Sequence, residues 1–160
     1  MWEFRNRNIF GCTAFATYGA FWLSLGLFIV LFLFNKSVST ALGATGLNKD
    51  LGWFLLGFAI FNTYMLLWST RVNLAVFAVF LTLEITEIIL FIGFFMAGAG
   101  KSGGADVIKI GGYAGIVTAV VAWYTSAAVV VNNMASRPVV PVGPPLWAAT
   151  AGTAPAAVRA

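Results

Sequence analysis

The sequence predicts an all-α fold, a polytopic bundle of transmembrane helices. Hydrophobic residues make up 61% of the 160 positions and charged residues only 9%, whereas a soluble domain usually carries about 25% charged residues. The apolar residues form continuous runs rather than alternating ones, and each run is about twice the length of a barrel strand. Four runs are long enough to cross roughly 30 Å of hydrocarbon. A surface so poor in charge is expected to face lipid.

Charged and loop-forming residues separate the four runs. Arg5 and Arg7 precede the first, Arg71 divides the second from the third, and a glycine-rich loop over 98–104 follows the third. All five prolines lie beyond residue 137, and proline lacks a backbone N–H. We therefore expect a transmembrane domain over 1–134 and an extended or disordered Pro/Ala-rich tail over 135–160. The predicted spanning helices cover about 9–34, 51–68, 72–97 and 107–131.

Charge and residue types narrow the function. The net charge of +4 comes from nine Lys and Arg residues scattered singly, so the clustered basic face needed for nucleic acid is missing. Histidine is absent and Cys12 is the only cysteine, which leaves no intramolecular disulfide and removes the commonest metal ligand. The glycine-rich loop lacks the strand-to-helix context of a phosphate cradle. We expect no nucleic-acid partner, no metal, no cofactor and no enzyme.

Two carboxylates occur at membrane depth in the third span. A charged carboxylate at the bilayer centre costs at least about 2.5 kcal/mol, so such residues usually face the bundle interior or a watery cavity. Leu81, Glu84 and Glu87 follow one stripe of the helix in steps of about 60°. Two carboxylates one turn apart disfavour double ionisation, so Glu84 and Glu87 are candidates for a proton-linked site. The alternative is that both form helix–helix hydrogen bonds, or that Glu87 lies at a subunit contact.

Uncharged polar residues mark the first and second spans. Thr13, Thr17 and Ser24 fall within about 40° of one another on the first helix. Their hydroxyls could line a path for a small polar solute, or could bond back to their own helix, as is common in membranes. Asn62 lies midway along the second span, where packing explains an amide poorly.

Small residues are spaced four apart on the fourth span, at Gly111, Gly115 and Ala119. This spacing permits close helix contact in a membrane. It predicts helix packing, either within the chain or between protomers.

The first span carries a recognisable motif. Residues 8–22 read NIFGCTAFATYGAFW, which resembles the third-helix signature GNTFG-x-TAF-x-SYG-x-FW of the acetate uptake transporter (succinate–acetate permease) family. Arg7, Ile9 and Thr17 replace the family's glycine, threonine and serine. The resemblance continues through 52–56 and 79–82 and into the tail at 141–147.

This resemblance implies a fold and a function. Family members have six transmembrane helices with cytoplasmic termini, lie in the plasma or inner membrane, and assemble as hexamers with one path per protomer. They move acetate and related short-chain monocarboxylates, sometimes succinate, by proton coupling or channel-like permeation. Tyr18 and Leu81 match two members of the family's hydrophobic constriction. Each lies about ten residues, or roughly 15 Å, from the helix end expected in the cytoplasm.

The family's first two helices and its Asn-Pro-Ala-Pro-Leu motif have no counterpart here. A four-helix chain would lack part of the path wall. The second hypothesis is therefore a truncated, non-transporting membrane protein, or an accessory subunit of an intact homologue.

Overall fold

Four long helices follow one another along the chain, with short connections between them. The computed structural model describes residues 2–147. A single turn of helix, α1, precedes the four. The elements are α1 (Trp2–Arg5), α2 (Ile9–Phe34), α3 (Lys36–Ser69), α4 (Leu74–Gly98) and α5 (Gly104–Ala135).

Asparagine begins three of the long helices. Asn8 Oδ1 accepts a hydrogen bond from Gly11 N at 3.0 Å, Asn35 Oδ1 from Ser37 N at 3.0 Å, and Asn73 Oδ1 from Val76 N at 2.9 Å. These bonds satisfy backbone donors that have no partner inside the helix. The asparagines thus fix where α2, α3 and α4 begin.

Arg7, beside the first of these caps, has φ +56°. This left-handed conformation costs a non-glycine residue roughly 1 kcal/mol. The family motif has glycine at this position, the residue that adopts the conformation without that cost.

The second span differs most from its prediction. Helix α3 begins at Lys36, some fifteen residues before the expected start near Leu51. The backbone at Gly43 leaves the helical region, with φ 59° and ψ −177°, a combination essentially restricted to glycine. Helix α3 is therefore kinked, and a polar first segment precedes the apolar spanning part.

All four long helices are apolar and long enough to cross a membrane, which confirms the predicted fold class. Many large apolar side chains point away from the protein, among them Leu23, which is 78% exposed. Contiguous apolar surface on this scale marks contact with lipid or with other protein.

Neighbouring helices run antiparallel, in the order α2–α3–α4–α5. Within residues 2–147, α2 packs chiefly against α3, and α5 packs against α4. A small core of Ala14, Met65 and Phe80 joins α2, α3 and α4. The long helices therefore form an open layer. The start of α2, the α3–α4 turn and the end of α5 all lie at the same end of that layer.

Small residues set the contact between α4 and α5. A Cβ added to Gly111 would lie 2.6 Å from Leu90 Cδ2, and one added to Gly93 would lie 2.8 Å from the Ile108 backbone N. Gly115 lies opposite Thr86, whereas Ala119 is exposed. The predicted small-residue stripe is thus split in the isolated chain, with its two glycines in the α4 contact and its alanine outside it.

Gly111→Ala is expected to lower the free energy of unfolding by about 1–3 kcal/mol, because the new methyl overpacks against Leu90. Gly112→Ala is the matched control, since a Cβ there has nothing within 4 Å. The free energies follow from titration with a denaturing detergent. Equal effects of the two substitutions would contradict this packing.

The tail was expected to be extended or disordered, and residues 138–147 form an extended segment held against the protein. We call it the C-terminal strap. Asn132 Oδ1 accepts from Val139 N at 2.7 Å and Val140 N at 2.8 Å, and its Nδ2 donates to Val140 O at 2.8 Å. Tyr124 OH donates to Pro141 O. Residues 148–160 of the predicted tail lie outside the described residues.

The strap crosses the α3–α4 turn. Ala75 N donates to Val142 O at 2.9 Å, and Trp147 N donates to Thr70 O at 3.1 Å. The Arg71 guanidinium lies 4.8 Å from the Trp147 ring centroid and 5.3 Å from that of Trp68, both within cation–π range. The strap therefore ties the end of α5 to the turn between α3 and α4.

Candidate functional site

A chain of hydrogen bonds crosses three helices at the depth predicted for the path. Tyr18 OH of α2 donates to Asn62 Oδ1 of α3 at 2.6 Å, and Asn62 Nδ2 donates to Glu84 Oε2 of α4 at 2.6 Å. The antiparallel arrangement brings these residues together, because each lies between seven and ten residues from the same end of the layer. Three of the residues singled out from the sequence thus form one cluster.

Asn62 is the centre of this cluster and is 0% exposed. Its second amide hydrogen bonds to Phe80 O at 3.0 Å. A carbonyl oxygen only accepts, so Phe80 fixes which side of the amide is nitrogen. Asn62 therefore presents its oxygen to Tyr18 and its nitrogen to Glu84.

Thr63 supplies the second partner of Glu84, and the sequence did not single it out. Its hydroxyl oxygen lies 2.8 Å from Glu84 Oε1 and 2.9 Å from Ala59 O. The one feature of the sequence that could have pointed to Thr63 is its position next to Asn62. Threonines in membrane helices usually bond only to their own backbone, so that signal is weak.

Glu87 lies in a different environment from Glu84. It is 3% exposed, and within residues 2–147 its Oε2 atom is buried without a hydrogen-bond partner. An unpaired carboxylate charge in such a place costs several kcal/mol. The arrangement fits the neutral acid, which keeps its own proton.

Aromatic rings surround Tyr18. Its ring centroid lies 5.6 Å from Phe61, 6.2 Å from Phe80 and 6.5 Å from Phe58. Leu81, the expected partner in the constriction, is 39% exposed, and it is Phe80 of α4 whose ring lies beside Tyr18. The Tyr18 ring is thus held by three phenylalanine rings. Leu81 lies instead on the exposed surface of α4.

Of the three α2 hydroxyls singled out from the sequence, Ser24 bonds back to its own helix. Ser24 Oγ donates to Ala20 O at 2.7 Å, which is back-bonding within its own helix. Thr13 is exposed and Thr17 half-buried, and neither takes part in the hydrogen bonds that join Tyr18, Asn62 and Glu84. Among residues 2–147, no group of three His, Cys, Asp or Glu residues could hold a metal ion.

Comparison with known proteins identifies the family of this chain. The model described as the GPR1/FUN34/yaaH family matches residues 1–145. The chain belongs to the GPR1/FUN34/yaaH family. This membership confirms the resemblance to acetate uptake transporters found in the α2 motif.

The chain is similar in sequence to three curated transport proteins. The chain is 33% identical over 155 residues to acetate permease A of Emericella nidulans, covering 94% of this chain and 51% of the permease. It is 32% identical over 129 residues to ammonia transport outward protein 2 of Saccharomyces cerevisiae, covering 80% and 43%. It is 29% identical over 143 residues to the succinate-acetate/proton symporter SatP of Escherichia coli K12, covering 88% and 69%. The chain spans about half the length of the two fungal relatives.

These names and the four apolar helices identify an integral membrane protein of a family with a role in acetate transport. The relatives are permeases and transporters, so the family is not one of enzymes.

Proposed function

We propose that this chain moves acetate and related short-chain monocarboxylates across the cell membrane. One observation carries the proposal: Tyr18, Asn62 and Glu84 are joined by hydrogen bonds of 2.6 Å between three membrane-spanning helices. Family membership supplies the substrate class, since relatives are named acetate permease and succinate-acetate/proton symporter.

Tyr18 and Leu81 would border the narrowest part of the path. Bulky apolar and aromatic side chains close a pore by steric contact and by expelling water. Tyr18 is fixed by its bond to Asn62, whereas the exposed Leu81 is free to contact further helices. We propose that Thr13 and Thr17 offer hydroxyl donors to the substrate carboxylate on the way to this point.

The charge pattern favours a weakly held substrate. The Arg and Lys residues of the described chain lie near helix ends or in connections, except Lys49, which lies within α3 beside Gly98 at the end of α4. No cation therefore binds the carboxylate at mid-depth. The acid therefore crosses either bound by hydroxyls or in its protonated form. We propose Glu84 as the proton-linked group, with Glu87 beside it holding a proton of its own.

The orientation and assembly follow the family. We propose cytoplasmic ends for both termini, which places Arg5, Arg7, Arg71 and Arg137 inside, in a plasma or inner membrane. We also propose a homo-hexamer, whose neighbouring protomers would cover apolar faces of the open layer.

Tyr18→Ala is expected to change the acetate flux several-fold in cells that lack other acetate carriers, because removing the ring opens the constriction. Uptake of labelled acetate measures this. Tyr113→Ala is the control, since that ring is exposed on α5. Unchanged flux and selectivity for Tyr18→Ala would exclude the constriction.

A second candidate is a non-transporting subunit of an intact homologue. The open layer favours it, because α2 and α5 each leave a long apolar face to be covered. Co-purification with a six-helix relative, together with no acetate uptake by this chain alone, would support the subunit over the transporter.

A further inference from the structure

Glu84 has hydrogen-bond partners that treat its two oxygens differently. Asn62 Nδ2 lies 2.6 Å from Oε2 and Thr63 Oγ1 lies 2.8 Å from Oε1. The amide nitrogen can only donate, and its orientation is fixed by Phe80 O. The carbonyl oxygen of a carboxylic acid is a stronger acceptor than its hydroxyl oxygen. The bond from Asn62 therefore favours Oε2 as the carbonyl oxygen and Oε1, next to Thr63, as the oxygen that carries the proton.

The Thr63 hydroxyl has one hydrogen and two acceptors within reach. It lies 2.8 Å from Glu84 Oε1 and 2.9 Å from Ala59 O, and a hydroxyl donates only one hydrogen bond at a time. When Glu84 is ionised, Thr63 can donate to Oε1. When Glu84 is protonated, Thr63 can donate to Ala59 O and accept the proton of Oε1.

Both protonation states are thus satisfied by the same heavy-atom positions. Only the Thr63 hydroxyl hydrogen has to turn. The bonds from Tyr18 to Asn62 and from Asn62 to Glu84 remain unchanged. Glu87 has no comparable partner, since its Oε2 is unpaired within the described residues.

We infer that Thr63 is a positioning residue that lets Glu84 gain and lose a proton at Oε1 without disturbing the Tyr18 constriction. The proton comes from water in the path and returns to it, and no other bond forms or breaks. This inference rests on the proposed function, because it gives Glu84 its place in proton-linked transport.

Within residues 2–147, the titratable side chains that share this region with Glu84 are Tyr18 on α2, Tyr64 on α3 and Glu87 on α4 itself, which interact electrostatically with Tyr18 or with Glu84. Helix α5 presents the uncharged hydroxyls of Thr118 and Thr125 to α4. The Thr63 hydroxyl is therefore the nearest group that can follow the state of Oε1.

Infrared difference spectra of the purified chain in lipid vesicles, recorded as a function of pH, test the inference. Glu84→Gln identifies the carboxylic-acid band that belongs to Glu84. Thr63→Val removes the hydroxyl and keeps the branched shape. The pH at which that band reaches half its height should rise by about one unit. The substitution removes a hydrogen bond from both forms of Glu84, and the bond to the ionised form is the stronger of the two.

Thr63→Ser should restore the original profile. Thr82→Val is the matched control, since its hydroxyl bonds only within α4, to Ala78 O and Val79 O. Thr63→Ala replaces Thr63→Val if that variant does not elute like the unmodified protein. A profile that neither Thr63 substitution moves, or that Thr82→Val moves equally, would overturn the inference.

Acetate uptake is measured on the same vesicles. Absence of uptake by the unmodified protein, with the Thr63 effect intact, would count against the proposed function and leave the proton site supported. Acetate uptake without any effect of the Thr63 substitutions would support the proposed function and overturn the inference about Thr63.

Discussion

Replacing Asn62 by leucine is expected to lower the free energy of unfolding by about 3 kcal/mol and to abolish acetate uptake. The substitution leaves Tyr18 OH, Phe80 O and Glu84 Oε2 without their partner. Each unpaired buried group costs about 1–3 kcal/mol, although hydrogen bonds between membrane helices average nearer 0.6 kcal/mol. Unfolding in denaturing detergent, with uptake of labelled acetate, measures both effects.

Asn133→Leu is the control for this change. Asn133 is exposed and its amide donates only to Val129 O of its own helix, at 2.8 Å. The two variants lose the same chemical group, so a difference between them reports the contacts between helices. A similar loss of stability in both would mean that Asn62 is not the centre of the cluster.

Replacing Glu87 by methionine is expected to raise the free energy of unfolding by about 1–3 kcal/mol. Glu87 is 3% exposed and its Oε2 is unpaired within residues 2–147. Removing a buried polar group that lacks a partner recovers its desolvation penalty, and an apolar side chain of similar volume fills the space.

Glu84→Met is the matched comparison and is expected to lower the free energy of unfolding. It removes the acceptor of Asn62 and of Thr63. Both variants are unfolded in the same detergent series. If Glu87→Met destabilises as strongly as Glu84→Met, Glu87 has a partner on another subunit, as in the subunit-contact hypothesis.

The helices of this protein are largely predictable from its sequence, because long apolar runs in lipid can only be helical. The first part of α3 escaped prediction. Residues 36–50 contain serine, threonine, asparagine, lysine and aspartate, so their hydropathy resembles that of a loop. The pattern of apolar residues therefore predicts neither the helix over this segment nor the change of backbone direction at Gly43.

The candidate site was partly predictable. Glu84 and Asn62 stood out because polar groups are costly at membrane depth, and Tyr18 because it matches the constriction of the acetate uptake transporters. Their pairing depends on how far each helix extends and on which faces meet, which the sequence does not specify. Thr63 and the difference between Glu84 and Glu87 therefore needed three-dimensional contacts.

The C-terminal strap also bears on the order in which the protein is built. A ribosome makes the α3–α4 turn well before it makes Val142 and Trp147, whose bonds to Ala75 and Thr70 secure that turn. Those bonds cannot form until the end of α5 has left the insertion machinery. Arg71 thus lacks the Trp147 ring until residue 147 has been made, so this end of the protein matures only after all four long helices have been synthesised.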